Sequence, residues 1–179
     1  MVIIVMGVAG SGKSTVGRLL AARLGWPFRD ADDFHPPGNR AKMRRGIPLD
    51  DDDRRPWLEA IRTSISEAIG NQANAVYACS ALKRAYRKIL ATDTDDVEFV
   101  YLKGSQQVIA RRLTNRKGHF FDPALLQTQF DDLEEPCNAL VVDIAPPPEA
   151  VVDSIIADLG LRQALSSNRP DATVRQRIN

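Results

Sequence analysis

Short apolar runs alternate with longer amphipathic segments along most of the chain. Residues Val2 to Met6 form a continuous apolar run rich in β-branched side chains, which is typical of a central parallel strand covered on both faces. From Lys13 to Leu24 apolar residues recur at helical spacing, and Gly25 provides a stop signal. The pattern therefore predicts a buried first strand that leads through a short loop into a helix.

The same criteria predict four further strands and a series of helices. The predicted strands are 27–30, 75–79, 97–102 and 140–144. The predicted helices are 39–45, 56–69, 81–90, 105–116 (capped by Ser105), one that follows Pro123, and a last one that ends near Gly160. Alternation of strands and helices predicts an α/β fold, with a five-stranded parallel sheet, helices on both faces and right-handed crossovers.

Length and composition predict one soluble globular domain. Residues 1–165 carry the periodic pattern, whereas 166–179 are polar and aperiodic and are predicted to be a disordered tail. The hydrophobic fraction of 44% and the charged fraction of 26% are ordinary. The net charge of +1 offers no broad basic field, so no nucleic-acid partner is predicted.

Two further features bear on location. No apolar run approaches the roughly 20 residues of a membrane-spanning helix, so no membrane association is predicted. Cys79 and Cys137 lie far apart and match no metal-binding spacing, which indicates reduced thiols and a cytoplasmic protein.

The loop after the first strand has the full P-loop pattern, Gly-x-x-x-x-Gly-Lys-Ser, between a strand and a helix. Its glycines let backbone N–H groups point at phosphate oxygens, and the helix N-terminus adds a positive dipole. Lys13 is predicted to reach the β- and γ-phosphates of ATP, and the Ser14 hydroxyl to hold Mg²⁺. The predicted nucleotide contacts are Gly7, Val8, Ala9, Gly10, Ser11, Gly12, Lys13, Ser14 and Thr15.

Other nucleotide-dependent classes fit less well. A GTPase needs a base-reading Asn-Lys-x-Asp segment, which this chain lacks. Val141-Val142-Asp143 resembles the acidic strand end of motor ATPases, but it lies on the last strand, and Asp143 is interpreted as structural.

Asp30 and Asp32 lie at the C-terminal end of the second predicted strand, at the edge where open α/β sheets bind ligands. With one residue between them on an extended strand end, the two carboxylates are expected to serve different faces. Asp30 is assigned to the metal and Asp32 to the general base that accepts the acceptor's proton. The alternative is that Asp32 only caps the next segment.

Several longer motifs resemble the gluconokinase family. They are residues 6–15, 30–36, 39, 42–43, 46–58, 79–87, 116–121, 125–126, 129–130 and 133–134, which together extend over about residues 1 to 160 in order. The resemblance implies a P-loop NTPase fold similar to shikimate and adenylate kinases, and transfer of the γ-phosphoryl group of ATP to the 6-hydroxyl of D-gluconate. It also implies a homodimer, because dimers are common in the family.

Gluconate is a small polyhydroxylated carboxylate, so its site should contain cations and hydrogen-bonding groups. Arg54 offers a planar fork for a carboxylate, and Lys83 and Arg87 lie one helical turn apart. By the resemblance these residues bind the substrate together with Asp32 and Ser80, and His35 is added because it lies beside the aspartate pair. The alternative for 83–88 is a solvated helix face.

Residues 116–124 are predicted to form a small mobile lid after the arginine-rich helix. A kinase must exclude water, and a movable arginine can stabilise charge on the transferred group. Arg116 is assigned to the phosphates as a catalytic residue, Arg112 to stacking on adenine, and His119 to sensing the substrate.

Two features of the sequence are assigned no catalytic or binding role. The acidic run 50–53 is predicted to cap the helix that starts at Pro56, and Trp57 is predicted to lie in the core.

Two other functions stay open. They are a kinase for another small hydroxy acid such as shikimate, and a non-catalytic module regulated by ATP.

Overall fold

The structure is a computed structural model, and it describes residues 1–91, 95–114 and 123–161. Its elements follow one another in the order that the hydrophobic pattern predicts. The strands are β1 (Val2–Met6), β2 (Phe28–Asp30), β3 (Ala75–Ala78), β4 (Val97–Lys103) and β5 (Leu140–Asp143). The helices are α1 (Lys13–Leu24), α2 (Pro37–Arg44), α3 (Asp51–Gly70), α4 (Arg84–Ala91), α5 (Gln106–Thr114), α6 (Pro123–Asp131) and α7 (Pro148–Asp158).

The five strands form one parallel sheet in the order β2-β3-β1-β4-β5. This confirms the predicted α/β architecture. Strand β1 is central and fully buried, and its side chains alternate between the two faces. Ile3 and Val5 pack in a cluster with α1, α5 and α7, whereas Ile4 and Met6 pack in a cluster with α3 and α4. The carboxyl ends of the strands therefore meet at one edge of a rigid sheet.

The structure corrects the predicted start of α3. Pro56 was expected to open this helix, but the helix begins at Asp51 and Pro56 lies inside it. Asp50 accepts a hydrogen bond from the Asp53 backbone N–H (2.8 Å), and the Asp53 side chain accepts one from the Asp50 N–H (3.2 Å). This capping box satisfies free N–H groups upstream of the proline, so the helix gains five residues.

The structure also corrects the segment after β2. Residues Ala31–Phe34 form a 3₁₀ helix, not the extended strand end that was expected. Asp30 is its N-cap and accepts a hydrogen bond from the backbone N–H of Asp32 (3.2 Å). Short aspartate side chains favour such local bonds over a continued strand. Residues two positions apart on an extended strand share one face, so the expectation of different faces was wrong for a strand. The turn of 3₁₀ helix ends that alternation directly after Asp30.

Other predictions concern residues that the structure describes only in part. Of the predicted lid, 116–122 lie outside the described residues, and so does the predicted tail 166–179. The division into one domain, a lid and a tail stays a prediction. Within the described ranges, none of the helices combines the length and apolar composition needed to cross a bilayer.

Candidate active site

The P-loop joins the end of β1 to the start of α1. Gly7, Gly10 and Gly12 have φ angles of 143°, 79° and 101°, a region that other residues rarely adopt. A Cβ atom on Gly7 would lie 2.9 Å from the Ser11 Oγ and 3.0 Å from the Leu102 carbonyl oxygen. The backbone is thus wound tightly into a concave turn at the N-terminus of α1, which is the geometry of an anion-binding site.

Two side chains of this loop are suited to bind a phosphate group. The Ser11 hydroxyl is buried and has no hydrogen-bond partner among the described residues. A buried polar group of this kind needs a partner, and a phosphate oxygen can provide one. Lys13 lies over the loop, where its Nζ donates to the carbonyl oxygen of Val8 (3.0 Å). Burial lowers the pKa of Lys13, and the nearby Asp32, Cys79 and Asp30 act in the opposite direction.

The Ser14 hydroxyl donates to the Asp30 Oδ2 at 2.8 Å, across 16 positions of sequence. A hydroxyl beside a carboxylate is an all-oxygen donor set, and Mg²⁺ binds through such oxygens together with substrate phosphates. The two residues predicted to hold the metal therefore lie together, and their chemistry fits Mg²⁺.

Asp32 lies close enough to Asp30 and Lys13 for all three charges to interact. Partial desolvation beside the P-loop raises the pKa of the Asp32 carboxyl group, although the residue stays exposed to solvent, and the charge of Asp30 raises it further. The charge of Lys13 acts in the opposite direction, and so does that of His35 when its ring is protonated. A carboxylate beside the phosphate loop, with its pKa moved toward neutrality, can accept a proton from a bound hydroxyl group.

His35 is buried behind this pair. Its ring stacks on Trp57 with centroids 4.5 Å apart and an interplanar angle of 9°. The Asn39 amide lies 3.4 Å from the His35 Nδ1 and donates to the Asp53 carbonyl oxygen at 2.7 Å. The Trp57 indole N–H donates to the Ala31 carbonyl oxygen at 2.7 Å. Trp57 lies in the core as predicted, and it also fixes the segment that carries Asp32.

Arg54 and Lys83, predicted to bind the substrate, flank one aromatic ring. Their cationic groups lie 5.9 Å and 5.5 Å from the ring centroid of Tyr86, and Arg54 donates to the Tyr86 hydroxyl at 3.2 Å. A groove of about 550 Å³ lies beside them, and Asp51 and Asp132 also line it. The sequence thus predicted two residues that the structure brings together, although they lie on different elements.

Asp51 lines this groove but was not predicted from the sequence to act there. Its carboxylate lies 3.0 Å from the Lys83 Nζ and 3.7 Å from an Arg54 nitrogen, and it accepts a hydrogen bond from the Tyr86 hydroxyl. These hydrogen bonds lower the pKa of Asp51. The acidic run 50–53 was interpreted only as a helix cap, which describes Asp50 and Asp53 but not Asp51. The spacing of Asp51 three residues before Arg54 was the available signal.

Arg87 and Ser80, both predicted to bind the substrate, make hydrogen bonds that involve backbone groups of the site loops. The Arg87 guanidinium is buried and donates to the carbonyl oxygens of Ala81 (2.9 Å), Leu82 (2.7 Å) and Glu134 (2.8 Å). It therefore holds the loop between β3 and α4, which carries Ser80 and Lys83. The Ser80 carbonyl oxygen accepts from the Gly7 N–H at 3.3 Å, which ties this loop to the P-loop.

Only part of the predicted adenine-binding and lid region lies among the residues that the structure describes. The Arg112 guanidinium donates to the carbonyl oxygen of Ile144, directly after β5. Asp143 accepts a hydrogen bond from the Ala145 N–H at 3.0 Å, in keeping with the structural role assigned to it. Arg116 and His119 lie outside the described residues, so their assignments stay predictions.

Comparison with known proteins identifies the family of this chain. A family model described as shikimate kinase matches residues 9–159. The thermoresistant gluconokinase of Escherichia coli K12 is 45% identical over 157 residues, which cover 86% of this chain and 90% of that protein. A gluconokinase of Arabidopsis thaliana is 42% identical over 170 residues, which cover 87% and 90%.

A solved structure extends the likeness to the fold. The crystal structure of a gluconokinase from Sinorhizobium meliloti 1021 has a TM-score of 0.78 and 45% sequence identity to this chain, and the match covers 88% of this chain and 90% of that one. The fold is that of the P-loop kinases, and the protein is a kinase. With identities of this size over most of its length, the chain belongs to the gluconokinase family, within the shikimate-kinase-like group of P-loop kinases.

Proposed function

We propose that this protein transfers the γ-phosphoryl group of ATP, in a Mg²⁺-dependent reaction, to the 6-hydroxyl of D-gluconate, giving 6-phospho-D-gluconate and ADP. The observation that carries the proposal is the meeting of Lys13, Asp30 and Asp32 at the P-loop. The similarity to gluconokinases supports the choice of acceptor.

The donor side uses the P-loop. Its N–H groups and Lys13 bind the phosphates, and Ser11 donates its buried hydroxyl. Ser14 and Asp30 hold Mg²⁺, which neutralises charge on the phosphates when it is bound. Arg112 contacts adenine, and Arg116 contacts the phosphates from the lid.

The acceptor side uses Asp32 and the groove. Asp32 orients the 6-hydroxyl and accepts its proton as the oxygen bonds to phosphorus. Arg54 and Lys83 bind the carboxylate of gluconate, with Ser80, His35 and His119 as further contacts. Arg87 acts as a positioning residue, because its guanidinium holds the loop that carries Lys83.

A panel of acceptors tests the proposal. The purified protein is incubated with Mg²⁺ and ATP, and ADP release is measured with D-gluconate, shikimate, nucleoside monophosphates or no acceptor. We expect strong stimulation by gluconate alone, and NMR of the product locates the phosphate on carbon 6. Shikimate is included because the shikimate kinase family model matches this chain. Equal rates with and without every acceptor would exclude a small-molecule kinase and favour the regulatory module.

Assembly and location complete the proposal. The family resemblance is the basis for a homodimer, and the two cysteines without a metal-binding or disulfide pattern are the basis for a cytoplasmic location. Light scattering of the purified protein measures its mass in solution, and a mass near the 19.8 kDa of one chain would contradict the dimer.

A further inference from the structure

Helix α6 lies between the P-loop and the acceptor groove. The Gln129 side chain accepts a hydrogen bond through its Oε1 from the backbone N–H of Ala9, at 2.6 Å and across 120 positions of sequence. Three residues further along the chain, the Asp132 carboxylate lies 3.9 Å from the Lys83 Nζ. The same helical segment thus contacts the donor loop on one side and a groove cation on the other.

The placement of Gln129 follows from the pattern of α6. Leu126, Phe130 and Leu133 pack on the core. Gln129 is three residues after Leu126, so it lies on the same core-facing side of the helix. A polar side chain at such a position needs a hydrogen-bond partner, and the P-loop N–H provides it.

The partner of Gln129 is a backbone N–H of the loop predicted to bind phosphate. Backbone N–H groups of a P-loop are its ligands for phosphate oxygens, and one N–H donates fully to one acceptor at a time. A phosphate oxygen bound by Ala9 must therefore displace the Gln129 amide oxygen. Because a charged acceptor makes a stronger hydrogen bond than a neutral amide, the exchange favours the nucleotide.

We propose that Gln129 is a positioning residue that links occupancy of the P-loop to the acceptor groove: its amide oxygen occupies the Ala9 N–H until a nucleotide phosphate replaces it. The exchange removes the hydrogen bond between α6 and the P-loop. Asp132, whose carboxylate lies 3.9 Å from the Lys83 Nζ, directly follows the same helix. Donor binding thereby changes the surroundings of an acceptor cation. The inference rests on the proposed function in two respects: the donor is a nucleoside triphosphate, and the acceptor binds at Lys83.

The test uses two substitutions with opposite expected effects. Gln129→Ala removes the competing acceptor, so ADP and a non-hydrolysable ATP analogue should bind about fivefold more tightly, as expected for one released hydrogen bond. Gln129→Glu keeps the shape but places a negative charge at the Ala9 N–H, so both nucleotides should bind at least about tenfold more weakly. Calorimetric titration without acceptor measures both constants.

Gln127→Ala is the matched control. Gln127 lies on the same helix, but its amide bonds to Gln106 (2.8 Å) and Asp131 (2.7 Å) at the surface. Its nucleotide affinity should equal that of the parent protein. Thermal unfolding of each nucleotide-free variant checks that the fold is intact. Weaker nucleotide binding by Gln129→Ala, or shifts of the same sign in both Gln129 variants, would overturn the proposal.

A second measurement tests the link to the groove. Binding of gluconate is titrated with and without the ATP analogue, and the ratio of the two constants gives the coupling between the sites. The ratio should move toward one in Gln129→Ala and stay at the parent value in Gln127→Ala. An unchanged ratio in Gln129→Ala would refute the link. The nucleotide titrations need no acceptor, so they remain decisive if the acceptor is not gluconate. If the protein phosphorylates gluconate normally and the nucleotide affinities of the Gln129 variants are unchanged, only this inference is refuted and the proposed function stands.

Discussion

The carboxylate of Asp51 lies 3.0 Å from the ammonium group of Lys83, and the two residues are 32 positions apart in the sequence. The side chain of Lys83 is 28% exposed and that of Asp51 is 65% exposed, so solvent screens the pair and its attraction is modest. The pair nevertheless neutralises part of the positive charge of Lys83. A cation assigned to the substrate carboxylate already contacts a carboxylate of the protein.

From this pairing we predict that Asp51→Asn lowers the KM for gluconate about two- to fivefold and changes kcat little, because the substrate no longer competes with an internal anion. Asparagine keeps the size of the side chain and an acceptor for the Tyr86 hydroxyl. Steady-state kinetics over a range of gluconate concentrations measure the change. Asp52→Asn is the control, since Asp52 pairs only loosely with Arg55 at 3.9 Å. An increased KM would instead indicate that Asp51 binds a substrate hydroxyl.

The second prediction concerns the general base. Asp32→Asn should reduce kcat by ~10²-fold or more, because the amide cannot accept the hydroxyl proton. Nucleotide affinity, measured by calorimetry, should stay near the parent value. Asp33→Asn provides the control, as this exposed neighbour lies in the same 3₁₀ helix. Normal turnover by Asp32→Asn would show that the base assignment is wrong.

The third prediction concerns the pair formed by Ser14 and Asp30. Ser14→Ala removes the hydroxyl predicted to bind Mg²⁺, so the Mg²⁺ concentration at half-maximal rate should rise about tenfold or more. Ser14→Thr is the matched control, because P-loops accept either hydroxyl residue at this position. The rate is measured against Mg²⁺ concentration at constant ATP. If Ser14→Ala and Ser14→Thr require the same Mg²⁺ concentration, Ser14 is not a metal ligand.

The fourth prediction concerns stability at mildly acidic pH. Burial lowers the pKa of His35 below its ordinary value of 6.5; Asp32 opposes the shift, and Arg40 and Arg54 add to it. The unfolded chain therefore binds a proton at a higher pH than the folded protein does. The contribution of His35 is fully present above about pH 6.5 and is lost as the pH falls through its lower folded pKa.

The comparison with His35→Phe isolates this effect. Phenylalanine keeps an aromatic ring against Trp57 but does not titrate, so its free energy of unfolding should fall less steeply between pH 7 and 5. Denaturant unfolding at several pH values measures the two slopes. Asp53, whose pKa is lowered chiefly by its hydrogen bonds to Lys42, loses its contribution only in more acidic solution, so it does not obscure this window. Equal slopes for the two proteins would contradict a buried, neutral His35.

Much of the donor site could be predicted from sequence because its signals are local. The glycine spacing of 7–12, the apolar run of β1 and the periodicity of α1 each report on backbone conformation within a few residues. The structure accordingly has the predicted bounds for β1 and α1. The structure also brings the Ser14 hydroxyl and the Asp30 carboxylate together. This contact could be expected because parallel strands bring their carboxyl ends to one edge of the sheet.

The errors in the predicted elements have local causes as well. The start of α3 was wrong because the proline signal was preferred to the capping box formed by Asp50 and Asp53. The extended conformation expected to continue from Asp30 to Asp32 was wrong, because the Asp30 side chain closes a turn with the Asp32 N–H. Both signals involve aspartate side chains that bond to nearby backbone, and periodicity does not report them.

Local sequence patterns were sufficient to predict the order of the elements, the phosphate loop and most of the charged residues assigned to the site. The pairing of those charges is visible only in the folded chain. The contact of Asp51 with Lys83 and that of Gln129 with Ala9 join residues 32 and 120 positions apart. The physical reason is that periodicity records burial and backbone conformation along a short segment, whereas the partner of a polar side chain depends on how distant segments pack.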